Sequence, residues 1–347
     1  AAKEINNRLD EIRAMALNIY MEQSAVRDGV TAEEVKGILL GMASGQETLL
    51  GYFRRFIRNF EKRVGINRTV GSLRAYSNAY SHIERFLQAQ YKLSDIPFSA
   101  LDRSFINKYD LYLRTERNLA PGTIINLTVQ LKTIVGEAIA DGIITASPFM
   151  GYEPVRPKHV QKYLTAEELH RIMTTPLHRQ TLYHVRDMFL FSCFTGIPYG
   201  DMRLLTKDNL CLAEDGIWWI KSARQKTKIE FEIPLLDLPL QILKKYSGTA
   251  PGDKLLPMYC NSTLNLYLKE IARICHIDRP LVFHAGRHTY ATEITLSHGV
   301  PLETVSRMLG HSQIETTQIY AKVTDEKIDA DTKTLNRKIS ERFSVVI

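Results

Sequence analysis

The chain has 347 residues, of which 44% are hydrophobic and 24% charged, and its net charge is +7. A chain of this length is too long to fold around one ordinary hydrophobic core, which favours a protein of two or three domains. No apolar run approaches the roughly 20 residues that span a bilayer, so the composition excludes a transmembrane protein. The positive charge favours an anionic partner.

The cysteines indicate neither a metal site nor a redox pair, because no CxxC spacing occurs. We interpret all of them as reduced thiols of a cytoplasmic protein: Cys193, Cys211, Cys260 and Cys275. The chain opens at Ala1 without a methionine and without the regions of a signal peptide, so we expect further sequence upstream.

The first 150 residues have a helical pattern. Apolar residues at helical spacing, a turn at Asp28-Gly29 and a capped start at Thr31 predict a helical hairpin over residues 4–40. Asp141-Gly142 ends the last helix, and a stretch rich in proline and glycine then predicts an interdomain linker near residue 155. The other predicted helices cover residues 48–64, 70–87, 104–116 and 123–140.

Basic residues are concentrated in two stretches of the chain. Residues 54–74 contain seven of them against one acid, Glu61, and residues 156–162 contain three and no acid. Phosphate backbones bind such stretches, although a solvated helix face explains either stretch equally well. The candidate contacts are Arg54, Arg55, Arg58, Lys62, Arg63, Arg68 and Arg74 in the first stretch and Arg156, Lys158 and Lys162 in the second.

The second half of the chain mixes helices with a short sheet. A capped helix starts at Thr165, and the apolar run 189–194 predicts a buried helix. Residues 217–220 and 230–234 alternate like strands and are joined by a basic connector, as in a hairpin. Helices are predicted again over residues 235–274, 284–298 and 302–309.

The last quarter of the chain contains residues that can bind a phosphate and attack it. His284 and Arg287 share a helix face at positions i and i+3, so both can direct nitrogen donors at one anion. His311 follows, and Tyr320 is the candidate nucleophile. Each residue alone has a structural explanation, since the chain contains 16 Tyr and 10 His, but the ordered set rarely arises by chance.

Five motifs follow one another in the chain: Phe194-Thr-Gly-Ile-Pro-Tyr-Gly-Asp201, Gln225-Lys-Thr227, His284-x-x-Arg287, Leu309-Gly-His311 and Tyr320. This set resembles the tyrosine recombinases, also called phage-type integrases. The resemblance implies a mainly α fold with a small β-sheet, in which a helical core-binding domain precedes a mixed α+β catalytic domain. The implied regions are an N-terminal extension (1–50), the core-binding domain (51–155), a linker (156–163), the catalytic domain (164–325) and a tail for subunit exchange (326–347). The resemblance also implies an arm-binding domain before residue 1.

The resemblance also implies a chemistry, which is site-specific DNA recombination through a 3′-phosphotyrosyl intermediate and a Holliday junction, without metal, cofactor or ATP. Tyr320 attacks the phosphate, and Arg287, His284 and His311 stabilise the charge that develops on it. Lys226 protonates the leaving 5′ hydroxyl. Lys228 is the alternative, because strand alternation would place both lysines on one side.

The implied partners are double-stranded core recombination sites, a homotetramer assembled on DNA, and a host DNA-bending factor or excisionase. Residues 123–132 resemble the helix that lies against DNA, which adds Thr123, Asn126 and Lys132 to the candidate contacts. The extension before residue 50 and the Thr-Gly-x-x-Tyr-x-Asp variant are most similar to integrases of conjugative and mobilisable transposons. The function implied is the integration and excision of a mobile element.

One position departs from the family pattern: Pro198 stands where the first arginine of the family is expected. Proline suits the first turn of a helix but supplies no charge. Arg203 is nearest in sequence, but five residues along a helix turn it about 140° from Pro198. Arg224 would share a face with Lys226 if the hairpin were extended there, so we favour Arg224.

Other readings remain open. A DNA invertase or resolvase would use the same chemistry, and a catalytically impaired DNA-binding protein of the same fold would explain Pro198. A type IB topoisomerase would share the nucleophile but would relax plasmids without a specific site. His288 lies about 100° from Arg287 on a helix, which favours packing or capping. His298 stands at a predicted helix end and needs no catalytic explanation.

Overall fold

A computed structural model describes residues 2–26, 30, 32, 35, 39, 47–155, 163–320 and 325–340. The chain divides into two compact units, Ala1–His159 and Val160–Ile347. Helices dominate both, and a small antiparallel sheet lies in the second. The predicted fold class is therefore confirmed. No helix in the described part of the chain is long and apolar enough to cross a membrane.

The helices of the first unit match the predicted helices within a few residues. They are α1 (Ala2–Val26), α2 (Leu49–Glu61), α3 (Val70–Phe86), α4 (Arg103–Thr115) and α5 (Pro121–Ala140). A π-helical turn, Leu87–Tyr91, extends α3. Of the predicted N-terminal hairpin, α1 and helical backbone at Ala32, Val35 and Leu39 are observed, while the turn at Asp28-Gly29 and the cap at Thr31 lie outside the described residues.

Side-chain caps and one aromatic cluster explain how the first unit folds. The Asp102 carboxylate accepts a hydrogen bond from the backbone N–H of Phe105 at 2.7 Å and starts α4. Pro121 occupies the first turn of α5, where its missing N–H costs nothing. Phe86 of α3 is fully buried, and its ring lies 5.3 Å from Phe105 and 5.1 Å from Tyr109. Apolar burial therefore holds α3 against α4.

The second unit contains more elements than the sequence predicted. Two helices lie within the helical region predicted over residues 235–274, and the region predicted over 284–298 is a short α-helix followed by a π-helical and a 3-10 segment. Its helices are α6 (Ala166–Thr174), α7 (Gln180–Thr195), α8 (Tyr199–Met202), α9 (Asp237–Lys245), α10 (Asn261–Ile274), α11 (Ala285–Thr289), α12 (Leu302–Leu309), α13 (Glu315–Gln318) and α14 (Asp325–Ser340).

The sheet consists of β1 (Leu210–Leu212), β2 (Trp218–Ala223) and β3 (Glu230–Pro234) in that order, with both pairs antiparallel. The strand β1 was not predicted, because three residues are too short for alternation to be visible. In the β2–β3 connection, Arg224 N–H donates to Ile229 O at 2.8 Å and Lys228 N–H donates to Arg224 O at 2.8 Å. Residues 225–227 therefore form a turn, and the extended backbone on which the placing of Arg224 and Lys226 on one face depended is not observed.

The helix α7 forms the centre of the second unit. Ten of its residues are buried, and it ends at Gly196, which has φ +69°. A Cβ at that position would lie 2.5 Å from Cδ1 of Tyr290, so only glycine fits both the conformation and the contact. At the start of α6, Thr165 and Glu168 exchange side-chain and backbone hydrogen bonds, which confirms the predicted cap.

Candidate active site

A cleft of about 790 Å³ opens in the second unit. It gathers residues that are far apart in sequence, from the β2–β3 turn, α11, the turn after α12 and the segment that ends at Tyr320. All six predicted catalytic side chains line it, together with His288: Arg224, Lys226, His284, Arg287, His311 and Tyr320. Arg203 is exposed at the end of α8 and does not line the cleft.

Arg287 lies at the base of this cleft and is only 3% exposed. Its Nη1 donates to Gly196 O at 2.9 Å, and its Nη2 donates to Leu309 O at 2.6 Å. Burial, and then the charge of Arg224, lower the pKa of Arg287 to about 10, against the opposing effect of Tyr320. The guanidinium is therefore still cationic at neutral pH.

The tautomer of His311 follows from its two hydrogen bonds. Its Nε2 lies 2.8 Å from Nη2 of Arg287, and because an arginine only donates, this nitrogen is the acceptor. Nδ1 therefore carries the proton and donates to Oγ1 of Thr317 at 2.7 Å. Burial, and then the charges of Arg287 and Arg224, lower the pKa of His311 to about 4, so the ring is neutral.

Arg224 enters the same site from the turn between β2 and β3. Its Nε lies 2.6 Å from Oδ2 of Asp201, in an ion pair whose N–H is not aligned for a hydrogen bond. Its Nη1 donates to Leu309 O at 3.0 Å, so both arginines share one carbonyl. The other carboxylate oxygen of Asp201 accepts from Gln225 N–H at 2.8 Å. Pro198 is the residue that caps α8, one position before the first turn.

Tyr320 is 7% exposed and packs between two histidines. The His311 ring is stacked on it at 6.2 Å, and the His288 ring meets it edge-on at 5.0 Å. His288 thus packs as expected, although its contact is the candidate nucleophile. His284 caps α11 and is exposed to the cleft. His298 ends the 3-10 segment that follows, and its Nδ1 lies 3.0 Å from Glu293 O.

The two candidate lysines occupy different positions in the turn. Lys226 is exposed and lines the cleft. Lys228 is exposed with φ +60° and does not line it. The turn separates them, whereas an extended strand would have placed them on one side. In the described part of the chain, no group of three His, Cys, Asp or Glu side chains is placed to hold a metal ion.

The predicted DNA contacts that fall within the described residues of the first unit are all exposed side chains. Arg54 donates to the Tyr80 hydroxyl at 2.5 Å, and Arg55 pairs with Glu47 at 2.5 Å. Thr123, Asn126 and Lys132 are exposed on α5. Thr123 and Lys132 are nine residues apart, which places them on opposite sides of the helix. The other exposed candidates are Arg58, Lys62, Arg63, Arg68 and Arg74, while Arg156, Lys158 and Lys162 lie outside the described residues.

Comparisons with known proteins identify the family. The phage integrase family matches residues 162–327, and the phage integrase SAM-like domain matches residues 48–154. The chain belongs to the phage integrase family, the tyrosine recombinases. It is therefore a site-specific recombinase that transfers DNA strands. A tyrosine recombinase XerD of Listeria monocytogenes is 25% identical over 74% of this chain and 89% of its own, and one of Staphylococcus saprophyticus is 26% identical over 81% and 96%.

Solved integrases share the fold. The Tn1549 transposon integrase in complex with transposon right end DNA superposes with a TM-score of 0.65 at 18% identity, over 83% of this chain and 99% of that chain. The lambda integrase tetramer bound to a Holliday junction superposes with a TM-score of 0.66 at 16% identity, over 89% and 87%.

Several contacts of this tyrosine recombinase site were not found from sequence. The hydrogen bond of Thr317 to His311, the pairing of Asp201 with Arg224 and the shared carbonyl of Leu309 depend on tertiary packing. In the sequence, Asp201 is visible only as the last residue of the motif that begins at Phe194. The one signal for Thr317 in the sequence is its place three residues before Tyr320.

Proposed function

We propose that this recombinase cuts and rejoins DNA with Tyr320 as the nucleophile, and that it integrates and excises a mobile element. The observation that carries the proposal is the shared Leu309 carbonyl, which holds the guanidinium groups of Arg287 and Arg224 together beside Tyr320 in one cleft. Two adjacent cations beside a phenol suit a phosphodiester and the pentacoordinate transition state of its cleavage.

In this mechanism the Tyr320 oxygen attacks the scissile phosphorus, and its proton leaves to the open cleft. Arg287, Arg224 and His284 stabilise the non-bridging oxygens as their charge grows. His311 acts as a neutral ring: it accepts from Arg287 and fixes that guanidinium. The P–O5′ bond breaks, and the leaving oxygen takes a proton from Lys226. A 5′ hydroxyl of the partner strand later attacks the phosphotyrosine and reverses these steps.

Arg224 supplies the charge that Pro198 lacks. Its contact with Asp201 supports this role, because that carboxylate belongs to the short helix that Pro198 caps. The second guanidinium therefore reaches the site from the β2–β3 turn instead of from α8. An intact set of donors around Tyr320 favours an active enzyme over a DNA-binding protein that has lost catalysis.

The wider assignments rest on the family. We infer a core-binding domain at residues 51–155, a catalytic domain at residues 164–325, and a homotetramer on two duplexes that exchanges its C-terminal helix. The exposed Leu335 and Ile339 of α14 support that exchange. A host bending factor or excisionase is part of the same proposal, as is a cytoplasmic location. Integration is favoured because the Tn1549 and lambda integrases share the fold; an invertase or resolvase of the same chemistry is the second candidate.

Covalent trapping tests the proposal. The wild type and Tyr320→Phe are incubated with nicked suicide duplexes taken from the ends of the element, and adducts are separated on a denaturing gel. We expect an adduct with the wild type alone. An adduct that persists in Tyr320→Phe would show another nucleophile, and no adduct on tightly bound duplexes would support the impaired DNA-binding protein. A chromosomal site recombined in preference to element ends would favour the resolvase.

A further inference from the structure

The loop between α2 and α3 presents an unusual side chain. Ile66 is 83% exposed, more than any other large hydrophobic side chain in the described part of the chain. A single exposed apolar residue is ordinary on a protein surface. Two further observations separate Ile66 from the ordinary case: its backbone is held in place, and its neighbours are basic.

Hydrogen bonds hold the backbone of this loop. The carbonyl of Arg63 accepts from the N–H groups of Ile66 at 3.2 Å, Asn67 at 3.2 Å and Arg68 at 3.1 Å. Gly65 N–H donates to Arg68 O at 3.0 Å, with a φ of +86° that favours glycine. Ile66 is β-branched and has few rotamers. Inserting this side chain into a partner therefore costs little conformational entropy.

The surroundings of Ile66 carry positive charge. From Arg58 to Arg74 the one acid is Glu61, and Lys62, Arg63 and Arg68 lie within four residues of Ile66. All three are exposed, and the Arg68 guanidinium lies over the Phe60 ring at 5.3 Å, which fixes it beside the loop. An apolar point within a basic surface is complementary to a DNA groove between two phosphate backbones.

We propose that Ile66 is an apolar wedge that enters the minor groove and partly unstacks one base step, while Lys62, Arg63 and Arg68 contact the flanking phosphates. This inference rests on the proposed DNA recombination and adds to it a residue whose binding depends on how easily a base step is deformed. Pyrimidine–purine steps unstack most readily, so the wedge favours sites with a TpA or CpA step beneath the loop.

Fluorescence of a base analogue tests the wedge. The full chain is titrated onto duplexes of about 30 base pairs from the element ends, with 2-aminopurine replacing adenine at successive TpA and CpA steps. We expect the wild type to raise the fluorescence at one step. Ile66→Ser should abolish that rise and weaken binding about tenfold with an unchanged salt dependence, because it removes apolar burial and no phosphate contact. Ile66→Leu should retain both properties.

A matched control and the trapping assay separate the outcomes. Leu111→Ser removes another exposed side chain of the same unit, 59% exposed on α4, and should leave binding and fluorescence unchanged. Equal fluorescence and affinity in wild type and Ile66→Ser overturn the wedge, as does a loss of affinity that comes with a shallower salt dependence. If either of these results is found while the wild type still forms the Tyr320 adduct, the wedge is wrong but the proposed recombination stands. If the wild type binds no duplex, the proposed function fails with it.

Discussion

Replacing Arg224 with alanine separates its role in catalysis from its role in stability. The side chain is 16% exposed and contacts Asp201 and the Leu309 carbonyl. The variant removes one of two guanidinium groups from the cleft. It also leaves the Asp201 carboxylate, 5% exposed, with the Gln225 N–H as its remaining hydrogen-bond donor. Both effects have a magnitude that follows from the structure.

For catalysis, loss of one preorganised donor to a developing oxyanion slows the chemical step by about 10²–10³-fold. For stability, breaking a buried ion pair typically costs 3–5 kcal/mol, and we expect about 3 kcal/mol because Asp201 keeps its bond from Gln225 and Arg224 is partly exposed. Arg224→Lys keeps the charge but loses the planar fork, so its rate should lie between those of the wild type and Arg224→Ala.

Single-turnover formation of the covalent adduct measures the rate, and urea denaturation measures the free energy of unfolding. Arg203→Ala is the control, because Arg203 is exposed outside the cleft and should change neither quantity. The double variant Asp201→Asn/Arg224→Ala should recover stability without recovering the rate, since it removes the uncompensated carboxylate. A folded Arg224→Ala protein that forms adduct as fast as the wild type would refute the replacement of the missing arginine.

Three further predictions concern the same cleft. Lys226→Ala should slow cleavage by about 10²–10⁴-fold, whereas Lys228→Ala should cleave as fast as the wild type. A substrate with a sulfur leaving group, which needs no proton donor, should restore the rate of Lys226→Ala. Failure to restore it would exclude proton donation by Lys226. Gly310→Ala should lower the free energy of unfolding in urea by about 1–3 kcal/mol more than Gly216→Ala. Both glycines have positive φ, but only at Gly310 would a Cβ lie 2.9 Å from the Arg224 side chain. Equal losses in the two variants would contradict this contact. The pKa of His311 is about 4 when folded and near 6.5 when unfolded, so protons bind the unfolded chain more tightly and stability should fall as pH drops from 6.5 to 4. After allowance for partial exposure, His311→Asn should reduce that fall by about 2 kcal/mol, and identical pH profiles would show that the histidine is not held neutral.

Local signals in the sequence predicted most of the elements that carry the site. The cap at Thr165 and the glycine at position 196 are encoded within a few residues, so the starts and ends of their helices could be predicted. The strand β1 could not, because its three residues depend on pairing with β2 for their conformation. The position of the connection at residues 246–260, between two of the helices, could not be predicted for a similar reason: its turns are held by contacts distant in sequence, such as Leu255 N–H to Leu205 O.

The case of Arg224 shows how the place of a residue in the cleft can be predicted from an incorrect assumption about the backbone. The prediction assumed an extended backbone at residues 224–226, whereas a turn begins there. Arg224 still reaches the cleft, because the turn directs its side chain towards Asp201 and the carbonyl of Leu309. Those partners lie 23 and 85 residues away in the chain, so a local sequence pattern could not predict these contacts.

The end of α12 explains why the Leu309-Gly310-His311 motif is needed at this site. Gly310 has φ +64°, and its N–H donates to Arg307 O at 2.9 Å while that of His311 donates to Ser306 O at 3.1 Å. This left-handed ending frees the Leu309 carbonyl at the negative end of the helix and turns His311 towards Arg287.

That carbonyl offsets the repulsion between two neighbouring guanidinium groups, which adds to the effect of burial in lowering the pKa of Arg287. A neutral His311 adds no third charge to the pair. The cations are thus fixed before a phosphate enters, and we expect the negative charge of a phosphate between them to relieve the repulsion that remains. In the proposed cleavage that charge is greatest in the pentacoordinate transition state, so we expect the arrangement to stabilise the transition state more than the bound substrate, which is the condition for catalysis.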